Sequence, residues 1–164
     1  MSMNDLKDIY IDQLQDLYSA DRQSAKVTAE LAAKASDAEL VSALEAGVSG
    51  IEEGMEMLRK LITAHDADPT GEHCKGMEGL VREARAHALE ETFGSDEARD
   101  AMIVTQYQRM VHYAIAGYGC LVAFAKRLGL DEDAEALKKA LDASYEGDRH
   151  MTEMAESGLN KAAL

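Results

Sequence analysis

Asp21 and Asp148 are the residues of this sequence best placed to do chemistry. Each interrupts a run of mainly apolar residues that recurs at gaps of three and four, the spacing that lines one face of a helix. Leu6, Tyr10, Leu14, Leu17, Asp21, Ser24, Thr28 and Leu31 form one such stripe; Leu137, Leu141, Ser144, Asp148, Met151 and Ala155 form another. A carboxylate turned inward can bind a metal ion or hold a proton. It can also do no more than accept hydrogen bonds from Ser, Tyr, Arg or water, which burial of any carboxylate requires. The second role is the expectation for both residues, with a remnant metal or proton site as the functional reading. If the two approach each other without a cation, one of them keeps its proton near neutrality.

A di-metal centre in a helical bundle takes one Glu from each of two helices and a Glu-x-x-His pair from each of the others. Carboxylate oxygens with imidazole suit iron or manganese. Gly50-Ile-Glu-Glu-Gly54 has no His in reach. In Ser144-Tyr-Glu-Gly-Asp148, Glu146 and Asp148 diverge by about 200° around a helix. Glu72 and His73 are neighbours in a loop, which makes them weak ligands. His112 beside Tyr113 is expected to be a hydrogen-bonded packing histidine; His65, His73, His87 and His150 fall at helix ends or polar faces and are expected in solvent. Cys74 and Cys120 match no zinc spacing and have no basic neighbourhood to activate them, so structural thiols are expected. The methionines are scattered over several helices, as core filler would be.

The elements that position these groups are helices. The chain has 164 residues, one Pro and no Trp, with 46 % apolar and 29 % charged residues. That suffices for one domain with one core, 1–164. Ala, Leu, Glu, Met and Lys dominate and alternating Val/Ile/Thr runs are missing, so the class is all-α. A first helix is predicted over about 5–35. A second follows a Ser36…Glu39 capping box and runs to about 65. Its stripe is Leu44, Val48, Ile51, Met55, Leu58 and Ile62, beside a row of Gly47, Gly50 and Gly54 that predicts close approach of another backbone. Residues 66–73 form a loop around Pro69. A short helix spans about 74–91. The third long helix spans about 96–128, with Ser95 or Asp96 as N-cap and Gly129 just past its end. The fourth spans about 131–157, and Gly158 onwards is expected to fray. Two short turns make two antiparallel hairpins, and the long middle connection carries the extra helix. This is a ferritin-like four-helix bundle.

The net charge of −14 excludes the Lys/Arg patches that bind nucleic acid or anionic membrane non-specifically. There is no apolar run of about 18 residues, so no membrane span is expected. The polar, acidic start is unlike a secretory signal, and a cytoplasmic protein with reduced thiols is the default.

Leu17-Tyr-Ser-Ala-Asp-Arg-Gln23, Cys74-Lys-Gly-Met-Glu-Gly-Leu80 and His112-Tyr-Ala-Ile-Ala-Gly-Tyr-Gly119 resemble the ferritin-like YciE/YciF family of bacterial stress-associated proteins. The resemblance covers nearly the whole chain. It implies a cytoplasmic homodimer of four-helix bundles with no proven biochemical activity. It also implies where metal-ligand residues would stand. The acidic position of the first helix falls on Asp21, which keeps its charge. The Glu and the Gln or His of the second fall on Gly50 and Gly54. The Glu of the third falls on Ala114, and the Glu and Asp of the fourth fall on Ser144 and Asp148. Two carboxylates in six positions do not hold a conventional di-iron centre. The resulting expectation is a non-enzymatic, stress-associated structural or interaction protein with a degenerate metal centre, no catalytic residue and no cofactor; its protein partner is not readable from the sequence. The alternative is a metal-dependent redox protein that holds iron or manganese through Asp21, Asp148 and a displaced Glu52, Glu53 or Glu146.

Overall fold

The fold, seen in a computed structural model that describes residues 3–164, follows the apolar stripe of the first helix closely and that of the second only in part, Val48, Ile51 and Met55 being half-buried. Helix α1 (Leu6–Lys34) buries Tyr10, Leu14, Leu17, Asp21, Ser24, Thr28 and Leu31 along one face, as its spacing requires. Asp5 caps its start by accepting from the Asp8 N–H at 3.0 Å. Helix α2 (Ala38–Ala64) returns antiparallel to it. Helix α3 (Lys75–Ala84) is short and passes into a π-helical turn, Arg85–Glu90. Helices α4 (Asp96–Leu128) and α5 (Asp131–Met154) form the second hairpin. No strand occurs among the described residues.

Packing closes a ring. Besides the two hairpin contacts, α1 lies against α4 and α2 against α5, so α1/α5 and α2/α4 are the diagonals. Helix α3 covers the α1–α4 side and buries Met77, Val81 and Ala84 there. This is the ferritin-like arrangement of two hairpins and a crossover.

The helix ends show which local signals were decisive. Ser95 caps α4, and Gly129 at φ 72° ends it, as its lack of a Cβ allows. Asp66 takes the same left-handed conformation after α2, at φ 57°, which Asp tolerates better than most residues. The Ser36…Glu39 capping box does not form. Asp37 is the N-cap of α2, accepting from the Glu39 and Leu40 N–H groups at 2.9 Å. Ser36 turns to Asp100 in the first turns of α4, and the buried Asp100 carboxylate accepts from the Ser36 N–H, the Ser36 hydroxyl and the Asp37 N–H. The long-range acceptor is favoured over the local one because Asp100 is 1 % exposed, and a buried carboxylate needs protein donors.

The C-terminal segment also departs from expectation. Gly158 and the residues after it do not fray. A π-helical turn, Ala155–Leu159, leads into a last short helix, α6 (Asn160–Ala162), and both pack on α4. The wider turn puts Leu159 in the core at 6 % exposure, which supplies the apolar contact that holds the end down.

Candidate functional site

Asp21 lies on α1 at the bundle centre and is 3 % exposed. Its Oδ2 accepts one hydrogen bond, from the Tyr118 hydroxyl of α4 at 2.6 Å. Burial pushes the Asp21 carboxyl up from 3.8 to about 7, against the Tyr118 hydrogen bond, which favours the ionised form. Tyr118 is pushed well above its ordinary value by burial and by the Asp21 charge. Tyr118 therefore keeps its proton, and the Asp21 carboxyl is partly protonated near neutrality.

The glycine row of α2 receives side chains, not a backbone. A Cβ on Gly54 would stand 2.7 Å from the Tyr118 oxygen and 3.4 Å from Asp21 Oδ2. A Cβ on Gly47 would collide with the Tyr107 hydroxyl. Both tyrosines come from α4 and reach across the diagonal to α2. Gly50 has no part in this; it is exposed, and a Cβ there would meet nothing within 4 Å. Gly117 on α4 accommodates Leu17, to which a Cβ would come within 2.9 Å. Large phenol rings from one helix and missing side chains on the others thus fill the central layer together.

Asp148 sits at the edge of this layer, not inside it, with its side chain 18 % exposed. It accepts from the Gln108 amide at 3.1 Å and lies 3.0 Å from His112 Nε2. Its charge, after burial, helps to push the Tyr107 phenol up. His112 is 64 % exposed, so it is a surface partner of Asp148 and not a packing histidine. The residues of α4 that hold the two aspartates, His112 and Tyr118, are about 9 Å apart along the helix axis. The structure gives each aspartate its own partners. Glu52, Glu53 and Glu146 are all exposed, and the first two line an outer groove of about 740 Å³ between α2 and α5. Among the described residues no three His, Cys, Asp or Glu side chains converge as metal ligands. At the centre Asp21 brings one carboxylate, and Tyr118 already occupies its Oδ2. This donor set does not fit a di-metal centre, which needs several carboxylates around each ion.

Two further clusters were not visible as clusters in the sequence. Cys74 is buried at the start of α3, with its thiol 3.0 Å from the Tyr113 hydroxyl, which also donates to Asp16 at 3.3 Å. Burial pushes this thiol up, so it is not an activated nucleophile. Cys120 is exposed. At the opposite end of the bundle from Asp100, His65 joins Lys7, Tyr10 and Asp133. His65 was expected in solvent, as the end of α2; its side chain is only 13 % exposed because the first turn of α5 packs over it. His73 and His150 are exposed, as expected, and His87 is half-buried.

The family of domain of unknown function DUF892 matches residues 5–164. The chain belongs to the DUF892 family. Among its relatives, protein YciF of Escherichia coli K12 is 31 % identical over 164 residues, covering 99 % of this chain and 98 % of that protein. The crystal structure of YciF, described as a stress protein, superposes with a TM-score of 0.89 over 97 % of this chain and 99 % of that one. YcfI of Rhodopseudomonas palustris superposes with a TM-score of 0.86 at 26 % identity, over 92 % and 95 % of the two chains. The ferritin-like bundle and its crossover helix are therefore the architecture of this DUF892 member. No helix among its described residues is long and apolar enough to cross a membrane.

Proposed function

We propose that this DUF892 protein is a non-enzymatic structural or interaction protein whose central layer packs tyrosines where a di-metal centre would stand. It acts as a cytoplasmic homodimer in a stress-associated role. The observation that carries this reading is the pairing of Tyr118 with Asp21 and Gly54: the ring uses the carboxylate's hydrogen-bonding capacity and the space of a side chain at once. Tyr107 likewise takes up the space of a side chain at Gly47, about two turns away along the second helix. The provisional structural assignment of the relative YcfI points the same way, as does the stress-protein description of YciF.

The test is an anaerobic titration of the purified protein with Fe(II) and with Mn(II), read by bound metal per chain and by melting temperature. No stoichiometric binding and an unchanged melting temperature are expected, since a ligand that binds only the folded state must raise it. A stoichiometric metal that disappears in the Asp21→Asn, Asp148→Asn double variant would overturn the proposal.

A further inference from the structure

The Lys7–His65–Asp133 cluster has the connectivity of a nucleophile, a base and an orienting carboxylate. Lys7 Nζ lies 2.7 Å from His65 Nδ1, and His65 Nε2 lies 2.7 Å from Asp133 Oδ2. The same Oδ2 accepts from the Tyr10 hydroxyl at 2.8 Å. Tyr10 also stands edge-on to the imidazole, with ring centroids 5.7 Å apart and planes at 79°. The ring of His65 is thereby fixed on two sides. Three helices meet here: Lys7 is in the first turn of α1, His65 ends α2, and Asp133 is in the first turn of α5.

The partner of Lys7 sets it apart. Lys60, Lys138 and Lys139 each point at a carboxylate. Lys7 points at an imidazole nitrogen. The Lys7 amino group can donate to Nδ1 of His65 while the Nε2–H of the ring donates to Asp133. His65 Nδ1 is thus placed to take a proton from Lys7, and Asp133 stabilises the ring once it carries that proton. A nucleophile within hydrogen-bond reach of a base that a third group orients is the arrangement that activates weak nucleophiles.

We propose that Lys7 is a self-acylation site, with His65 as general base, Asp133 as positioning carboxylate, and an acyl thioester as donor. Lys7 Nζ attacks the thioester carbonyl, so that the C–N bond forms and the C–S bond breaks. The ammonium first gives one proton to solvent by way of His65; once the neutral amine has attacked, the proton made acidic on Nζ passes to His65 Nδ1 and then to the departing thiolate. The products are an amide, a free thiol and the one proton released beforehand, and no electron transfer is involved. A thioester suits this site because a thiolate, with its ordinary pKa of about 8.5, leaves without an acid beyond the one proton His65 returns.

The test uses the full chain in a Cys120→Ser background, so that the exposed thiol does not compete for the acyl group. Acetyl-coenzyme A is the probe, and peptide mass spectrometry reads the acetylation rate at each lysine. Lys7 is expected to react about tenfold or more faster than Lys138 and Lys139 in the same molecules, a modest part of the 10²–10⁴-fold that organised general-base catalysis supplies. His65→Gln keeps a polar side chain but cannot carry the proton; it should remove the advantage of Lys7 and leave the other rates unchanged. In His65→Ala, added free imidazole should restore the Lys7 rate, which a merely structural role for His65 would not allow. Circular dichroism confirms that each variant is folded. Lys7 reacting no faster than Lys138, or keeping its rate in folded His65→Gln, overturns the proposal.

Discussion

Replacing Asp21 by Asn should remove a pH dependence that the wild-type chain carries in its core. The folded Asp21 carboxyl titrates at about 7 and its ordinary value is 3.8. The folded state therefore binds this proton more tightly than the unfolded chain. By linkage, the stability that comes from holding it is fully present below about pH 4 and is lost as pH rises through about 7. A difference of roughly three pH units, at about 1.4 kcal/mol each, amounts to about 4 kcal/mol. Asp21 is 3 % exposed, so solvent screening takes little from this figure. Asn cannot ionise, and its carbonyl still accepts from Tyr118. Urea unfolding of both proteins at intervals from pH 4 to pH 8.5 is the assay. The stability of Asp21→Asn relative to wild type should rise by about 1.4 kcal/mol per pH unit between about pH 4.5 and 6.5 and level off above pH 7.5. Working with this difference cancels the carboxylates common to both chains. Parallel stability curves across that range would refute the argument, because they would mean that Asp21 is ionised and solvated in the folded protein.

The two kinds of glycine in α2 should respond in opposite directions. Gly50→Ala fills open space and should stabilise by up to about 1 kcal/mol through helix propensity. Gly54→Ala should destabilise by about 1–3 kcal/mol in denaturant melts, because its Cβ displaces Tyr118 from Asp21. Asp100→Ala should cost about 3–6 kcal/mol in the same assay. It leaves the Ser36 and Asp37 N–H groups without their acceptor, and hydrogen bonds to a charged group contribute about 1.5–3 kcal/mol each. A thiol-reactive dye should label Cys120 quickly and Cys74 at least about a hundredfold more slowly, since Cys74 is 0 % exposed and reacts only through opening of the fold.

Helix periodicity is a local property, and it settled much of this protein in advance. The stripe of α1 is buried residue for residue from Tyr10 to Leu31, and it already contained Asp21. The limits of α4 and the role of Gly129 follow from Ser95 and from glycine's freedom at positive φ. The family resemblance placed small residues at four ligand-type positions, Gly50, Gly54, Ala114 and Ser144, and so led away from a di-metal centre before any contact was known; of these, Gly50 faces open space and Gly54 lies against Tyr118.

A stripe says which side of a helix faces inward, but it does not say what that side meets. Tyr118 and Asp21 are 97 positions apart, His65 and Asp133 are 68, and Ser36 and Asp100 are 64. Which of them touch depends on the axial register and rotation of helices packed as a ring, and side-chain volume sets both. That is why Gly50, in the same row as Gly47 and Gly54, faces open space, and why Asp148, in the same kind of seam as Asp21, stops at the rim. It is also why the lysine at the start of α1 faces an imidazole from the end of α2. The sequence by itself determined the helices and their inward faces. Only the tertiary structure decided what fills the centre between them, because tyrosines reaching across from a diagonal helix leave no trace in the periodicity of the helix they reach.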